Sequence, residues 1–234
     1  MTPGVYAVKI PNKLEEKQFS ALLSFVDKDK NKRINKFMNR KDKIRSLIGD
    51  TLIRCLISKH LNIPNKAINF EVNEYGKPSL KAWNQFHFNI SHSGDWVVAA
   101  IDNKPIGIDV ETMGSIEYIE IAKSFFSQKE YQWLLSQDDK RRKKCFYKLW
   151  TSKESYIKLM GKGLSIPLES FSVLFEGDDL YVNIDNDLDM KKNHRLRVFS
   201  IDSDHLLAVC SNKDLSQIKV VFKDYKELFS CLGS

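Results

Sequence analysis

The chain has 234 residues, 42% of them hydrophobic and 29% charged, which excludes a disordered polypeptide and suits one large domain or two small ones. No apolar run reaches the length of a membrane-spanning helix. The first ten residues lack the basic start and apolar core of a secretory signal, so the cytoplasm is the expected location and a membrane is not an expected partner. The net charge of +7 is uneven: residues 1–104 carry 18 Lys/Arg against 10 Asp/Glu, and residues 105–234 carry 19 against 20. Such asymmetry suits an anionic ligand on the first half and a cation on the second.

In chain order, Val5, Ala7 and Ile10, or Tyr6 and Val8 on the other face, mark a strand over 5–10. Helical stretches follow over 14–26 and 28–38. Ile44, Leu47, Ile48, Leu52, Leu56 and Leu61 recur at helical spacing and predict one long helix over 41–60, ended by Ile63-Pro64. Strands read at 68–72, 86–90 and 96–101, with Tyr75-Gly-Lys-Pro78 as the turn after the first. A short join at 102–105 separates the halves. The second half opens with a strand at 106–111, then helices at 116–123, 128–135 and 140–160. Ser127-x-x-Glu130 has capping-box form, and Gly161-Lys-Gly163 breaks the last helix. Strands follow at 171–175, 180–184, 196–201, 205–210 and 218–222. The pattern is α+β, in two halves, 1–104 and 105–234, each with a long helix and several antiparallel-type strands. With no low-complexity linker between them, a site is expected where the halves meet. Cys55, Cys145, Cys210 and Cys231 are scattered, without Cys-x-x-Cys or zinc spacing, and are expected to be reduced thiols.

Asp109 and Glu111 stand two apart in Ile106-Gly-Ile-Asp-Val-Glu111, and Glu154 follows 43 residues after Glu111 in Trp150-Thr-Ser-Lys-Glu-Ser-Tyr-Ile-Lys158. Residues i and i+2 of a strand face one side, and residues i and i+4 of a helix share a face, so three carboxylates and Lys158 can meet at one point. Hard oxygen donors of this kind suit Mg²⁺. Phe88-Asn-Ile-Ser-His-Ser-Gly94 offers the hydroxyls and backbone of a phosphate-binding loop, although His92 alone also reads as a structural histidine. Gly76 lets the backbone of its turn approach a ligand. Residues 27–45 hold nine basic and three acidic side chains.

Together, the basic helix around Lys30 to Arg45, Glu74-Tyr-Gly-Lys-Pro78, Phe88-Asn-Ile-Ser-His-Ser93, Ile106-Gly-Ile-Asp-Val-Glu111, Phe125-Phe-Ser-x-x-Glu130 and Trp150-x-x-Lys-Glu-x-x-x-Lys158 resemble the Sfp-type 4′-phosphopantetheinyl transferases over nearly the whole chain. The resemblance implies a pseudo-dimer of two similar α+β halves, each a long helix packed on a small, mainly antiparallel sheet. It implies transfer of phosphopantetheine from coenzyme A to a serine of an apo carrier protein of fatty-acid, polyketide or nonribosomal peptide biosynthesis, with release of adenosine 3′,5′-bisphosphate. On that pattern Asp109, Glu111 and Glu154 match the Mg²⁺ ligands. Lys30, Arg33, Ser46, the turn Tyr75, Gly76, Lys77 and Pro78, and the pair Ser91 and His92 match coenzyme A contacts. Lys158 matches the lysine that meets the leaving phosphate. Ile44 and Ser46 stand where the pattern has histidine and threonine. Glu154 is the first candidate for the base that takes the serine proton and Glu130 the second, with a capping role equally open to Glu130. The segment from Thr112 to Phe125 is a carrier-docking surface on the resemblance and an amphipathic core helix on periodicity. A fused chain of this kind is expected to be a monomer.

Two other readings compete. A Mg²⁺-dependent nuclease would also use clustered acids and a lysine, but no aromatic-basic surface for nucleic acid is evident. A non-catalytic carrier- or nucleotide-binding module has little need of three carboxylates with Lys158.

Overall fold

Two helices of 22 residues each organise the chain. The structure, a computed structural model, describes residues 2–176, 179–184 and 194–233. The first half runs β1 (Gly4–Lys9), α1 (Glu16–Leu23), α2 (Lys28–Lys36), α3 (Arg40–Leu61), β2 (Phe70–Val72), β3 (Pro78–Leu80), β4 (His87–Ser93) and β5 (Trp96–Asp102). The rest runs β6 (Ile106–Thr112), α4 (Tyr118–Phe125), α5 (Gln128–Leu135), α6 (Asp139–Met160), β7 (Phe171–Glu176), β8 (Asp179–Ile184), β9 (Arg195–Ser200), β10 (His205–Ser211), β11 (Val220–Lys223) and α7 (Glu227–Leu232). Both long helices start at a side-chain cap, Asn39 on the Lys41 N–H and Asp138 on the Lys140 N–H. Both end in a left-handed residue, Asn62 and Gly161.

The strands form sheets of order β11-β1-β5-β4 and β6-β10-β9-β8-β7, with β2-β3 as a separate hairpin. Only β1 and β11 pair in parallel among the described strands. Period-two alternation assigns the faces. On β5, Val97, Ala99 and Ile101 pack with Leu47, Ile48 and Leu52 of α3. Val98 and Ala100 pack instead with Ile106, Ile108 and Val110 of β6 and with Leu207 and Val209 of β10. The two sheets therefore stack between α3 and α6, and β5 is buried on both faces. Each fully buried Val or Ile there contributes about 1.5–3 kcal/mol relative to exposure.

The even-numbered residues of β6 enter this central core, which leaves Gly107, Asp109 and Glu111 on the face toward α6. A Cβ at Gly107 would overlap the Ser155 carbonyl oxygen and the Leu159 amide nitrogen. The glycine of the Gly-x-Asp-x-Glu run thus lets α6 lie directly on β6.

The expected two-half α+β class is observed, with two departures in detail. The last strand and helix cross back to the first half. β11 pairs with β1, and Leu228 and Leu232 of α7 join the core around α3. The expectation of four reduced thiols is overturned: Cys55 on α3 and Cys231 on α7 form a disulfide, with Cα atoms 5.8 Å apart and 176 residues between them. The pairing depends on α7, a six-residue helix too short to leave a periodic signature. Cys145 and Cys210 are free. Among the described residues no helix is long and apolar enough to cross a membrane.

Gly107→Ala is expected to destabilise the fold by about 1–3 kcal/mol, the usual cost of overpacking a filled site. Urea unfolding measures it, and an unchanged midpoint would refute the close contact between β6 and α6.

Candidate active site

Among the described strands β6 is an edge strand, paired with β10 on one side. Open backbone N–H groups on such an edge need partners. β4 supplies them with side chains. The Ile108 N–H donates to Asn89 Oδ1 (2.9 Å), the Val110 N–H to Ser91 Oγ (3.4 Å) and the Thr112 N–H to Ser93 Oγ (3.1 Å). Both strands repeat every two residues, so the three contacts keep step. A hydroxyl that accepts from the backbone still has one proton to give. Ser91 Oγ gives it to Asp109 Oδ1 (2.9 Å) and Ser93 Oγ to Glu111 Oε2 (3.0 Å). The joint between the halves and the orientation of the two acids are one structure.

From α6, Lys158 Nζ reaches Asp109 Oδ1 at 2.6 Å and Ser91 Oγ at 2.8 Å. Asp109 is buried, and its Oδ2 has no hydrogen-bond partner among the described residues. Burial first, then the charge of Asp109, pushes the Glu111 carboxyl above its ordinary pKa, with Ser93, Lys158 and Trp150 opposing. Burial first and Asp109 second raise Glu154 as well, Lys158 opposing and Glu111 adding. Three acids thus share one region with one ammonium. As placed, no three His, Cys, Asp or Glu side chains among the described residues enclose a cation. The case that they fit a hard divalent cation rests on the orphaned Asp109 oxygen and on the mutual repulsion that a cation would relieve.

A cleft of about 710 Å³ opens in the first half. Lys30 and Arg33 of α2 line one side, Gly76 and Pro78 another, and Phe88 and Ile90 of β4 a third. The position of α2 is set by Arg54, a buried residue that sequence reasoning missed. Its Nε donates to Asp50 (2.6 Å) and its Nη2 to Asp27 (2.7 Å), the N-cap of α2. The Asp50 and Arg54 i, i+4 spacing inside an apolar helical stripe was the available signal.

Other expected site residues fall elsewhere. Ser91 faces the joint rather than the cleft. His92 lies on the strand face of Phe88 and Ile90, and its pKa is lowered by desolvation and then by Arg45. Ser46 is half-buried on α3, Ile44 is in the core and Tyr75 is exposed at its turn. Lys77 does not line the cleft: its ammonium donates to the carbonyls of Lys158 (2.6 Å) and Leu159 (2.9 Å).

Glu130 is also placed differently from a base. One oxygen accepts the Ser127 N–H at 2.9 Å and meets Lys153 Nζ at 2.8 Å, and the other accepts the Val173 N–H at 2.8 Å. Both oxygens are occupied, which favours its capping role. Lys153, the first lysine of the Trp-x-x-Lys-Glu run, is wholly buried and also donates to the Leu168 and Phe171 carbonyls. It braces α6 against α5 and β7, immediately before Glu154. On α4, Ala122 is buried and Tyr118 packs on Phe146, while Phe125 is exposed beside Trp150 and Ile116, just before the helix, is also exposed. The segment from Thr112 to Phe125 is thus part core, part open surface.

Residues 13–104 match the family described as 4′-phosphopantetheinyl transferase, N-terminal, and residues 105–210 match the 4′-phosphopantetheinyl transferase superfamily. The 4′-phosphopantetheinyl transferase Sfp of Bacillus subtilis (strain 168) is 36% identical over 227 residues, 96% of this chain and 99% of that protein. The 4′-phosphopantetheinyl transferase gsp of Aneurinibacillus migulanus is 48% identical over 164 residues, 70% of this chain and 68% of its own. The transferase psf-1 of Bacillus pumilus is 38% identical over 98% of this chain and 99% of its own. The chain belongs to the 4′-phosphopantetheinyl transferase superfamily, and its activity is transfer of a 4′-phosphopantetheinyl group to carrier proteins.

The raised carboxyls of Glu111 and Glu154 make a pH prediction for the Mg²⁺-free protein. A raised folded-state pKa means that the fold binds more protons than the unfolded chain, so the contribution is full below the ordinary glutamate value of about 4.3 and is lost as pH rises through the folded values. A Glu111→Gln/Glu154→Gln variant should therefore gain on the wild type in thermal midpoint as pH rises above that value. A gap that stays constant across pH would refute the crowding of the acids.

Proposed function

We propose that coenzyme A is the donor and the serine hydroxyl of an apo carrier protein the acceptor, with Mg²⁺ held by Asp109, Glu111 and Glu154. The observation that carries this reading is the meeting of Asp109, Glu154 and Lys158 at the joint between the halves, in a chain whose other half carries the cleft lined by Lys30 and Arg33. Lys30 and Arg33 suit the 3′-phosphate, and Gly76 and Pro78, which line the same cleft, suit the rest of coenzyme A. When bound, Mg²⁺ would neutralise pyrophosphate charge and make the phosphorus more electrophilic.

Glu154 takes the proton of the carrier serine as its oxygen bonds to phosphorus. The bond from that phosphorus to the leaving oxygen breaks, adenosine 3′,5′-bisphosphate departs, and Lys158 meets the charge that forms there. The open surface at α4, with Phe125 and the preceding Ile116, is the proposed carrier-docking surface. The chain acts as a cytoplasmic monomer, both faces of the site coming from one polypeptide, with neither nucleic acid nor membrane as partner.

Intact-mass spectrometry of apo carriers with coenzyme A tests the reading. A gain of one phosphopantetheine that EDTA abolishes and Mg²⁺ restores is expected; transfer that persists in EDTA would contradict the metal.

Glu154→Gln should lower turnover by roughly a hundredfold or more, the scale of a lost general base, with coenzyme A binding changed much less. Equal loss of binding and turnover, both rescued by excess Mg²⁺, would reduce Glu154 to a ligand. Lys30→Ala and Arg33→Ala should each weaken coenzyme A by about 1.5–3 kcal/mol. Dephospho-coenzyme A should lose much less affinity, and an equal loss would overturn the 3′-phosphate assignment.

A further inference from the structure

The C-terminal turn of α6 ends among carbonyls with no partner inside the helix, as every helix does. Here the donors come from the β2-β3 hairpin of the other half. Lys77 Nζ lies 2.6 Å from the Lys158 carbonyl oxygen and 2.9 Å from that of Leu159. Asn73 Nδ2 adds a third bond, to the Gly161 carbonyl at 2.7 Å. The hairpin is shaped for this. Asn73 Oδ1 accepts the N–H groups of Tyr75 (3.0 Å) and Lys77 (2.8 Å), and Gly76 takes the left-handed φ of +83° that closes the turn. The helix end is shaped to match: Gly161 sits at φ +69°, and a Cβ there would lie 2.7 Å from Lys77 Cδ. A cation at the negative end of a helix is favourable besides. Burial lowers the Lys77 pKa to about 8 and leaves it mostly protonated at neutral pH.

We infer that Lys77 is a positioning residue for Lys158, fastening the last turn of α6 to the hairpin that walls the cleft. The inference rests on the proposed reaction for its catalytic readout. It changes what the resemblance implies for Lys77, from a contact of coenzyme A to a latch between the halves. Gly76 and Pro78, on either side of it, line the cleft. The carbonyl that Lys77 holds belongs to the residue whose own ammonium lies on Asp109 and Ser91. A ligand pressing on the Gly76 and Pro78 wall is therefore linked through one side chain to the placement of the lysine that meets the leaving phosphate.

The test compares Lys77→Met, which keeps length and removes the ammonium, with Lys77→Arg and, as a milder cut at the same clasp, Asn73→Ala. Each is made in the wild type and in Lys158→Met. Turnover, KM, equilibrium coenzyme A binding and hydrogen exchange over residues 157–163 are measured. Lys77→Met should lower turnover by roughly ten- to a hundredfold, the scale of a displaced reacting group, with coenzyme A binding changed less than about threefold. Lys77→Arg should restore most of it, and in Lys158→Met the loss of Lys77 should add little. Exchange over 157–163 should quicken in Lys77→Met and in Asn73→Ala even without substrate, which separates failure of this inference from failure of the proposed reaction. A fall in coenzyme A binding that matches the fall in turnover, and persists in Lys158→Met, would make Lys77 a direct ligand. Unchanged exchange at the helix end would equally overturn the latch.

Discussion

Asn89, Ser91 and Ser93 replace a missing strand. They are spaced so that each meets an unpaired N–H of β6, and the rest of the site depends on that match. A net contribution of about 0.5–1.5 kcal/mol per hydrogen bond is modest, whereas leaving the same buried N–H unpaired costs about 1–3 kcal/mol. The asymmetry makes the joint a matter of register more than of strength. A slip of one residue would strip all three amides and turn Asp109 and Glu111 away from α6. The serine hydroxyls then carry the register into chemistry, because the proton each has left is spent on a carboxylate.

On the other side of β6 the constraint is distance. Gly107 removes the one side chain that would hold α6 off, and Lys153 and Glu130 pin the helix from behind. An isolated buried ion pair is weak evidence for stability, but its loss from one side leaves a buried charge. What the pair fixes is the height of Glu154, the next residue along, over the acids of β6. Burial first, and the neighbouring charge of Asp109 second, raise the carboxyls of Glu111 and Glu154, so the acids also repel one another. A protein stores such repulsion where a cation or a proton is to be handled.

Much of this was legible in the chain. The long helices, the strand of Asp109 and Glu111 and the helix of Glu154 and Lys158 follow from periodicity, and the acids do lie on one face. The second role of Glu130 was open from the capping-box pattern alone and proved to be the one its hydrogen bonds favour. What pattern reading lacked was long-range partnership. Lys77 reads as an exposed turn lysine until α6 is brought to it across 81 residues of chain. Cys55 and Cys231 read as unrelated thiols until β11 and α7 cross back to the first half. Arg54 and Lys153 are both buried, and periodicity marks where apolar residues go and is silent on buried charge.

Amide hydrogen exchange at Ile108, Val110 and Thr112 tests the joint most directly. These amides should exchange as slowly as those of the central strand β5, and Asn89→Ala should speed Ile108 well beyond the other two. Fast exchange at all three in the wild type, or an Ile108 rate indifferent to Asn89, would mean that β4 does not close the edge of β6 and that the site is not assembled by the joint.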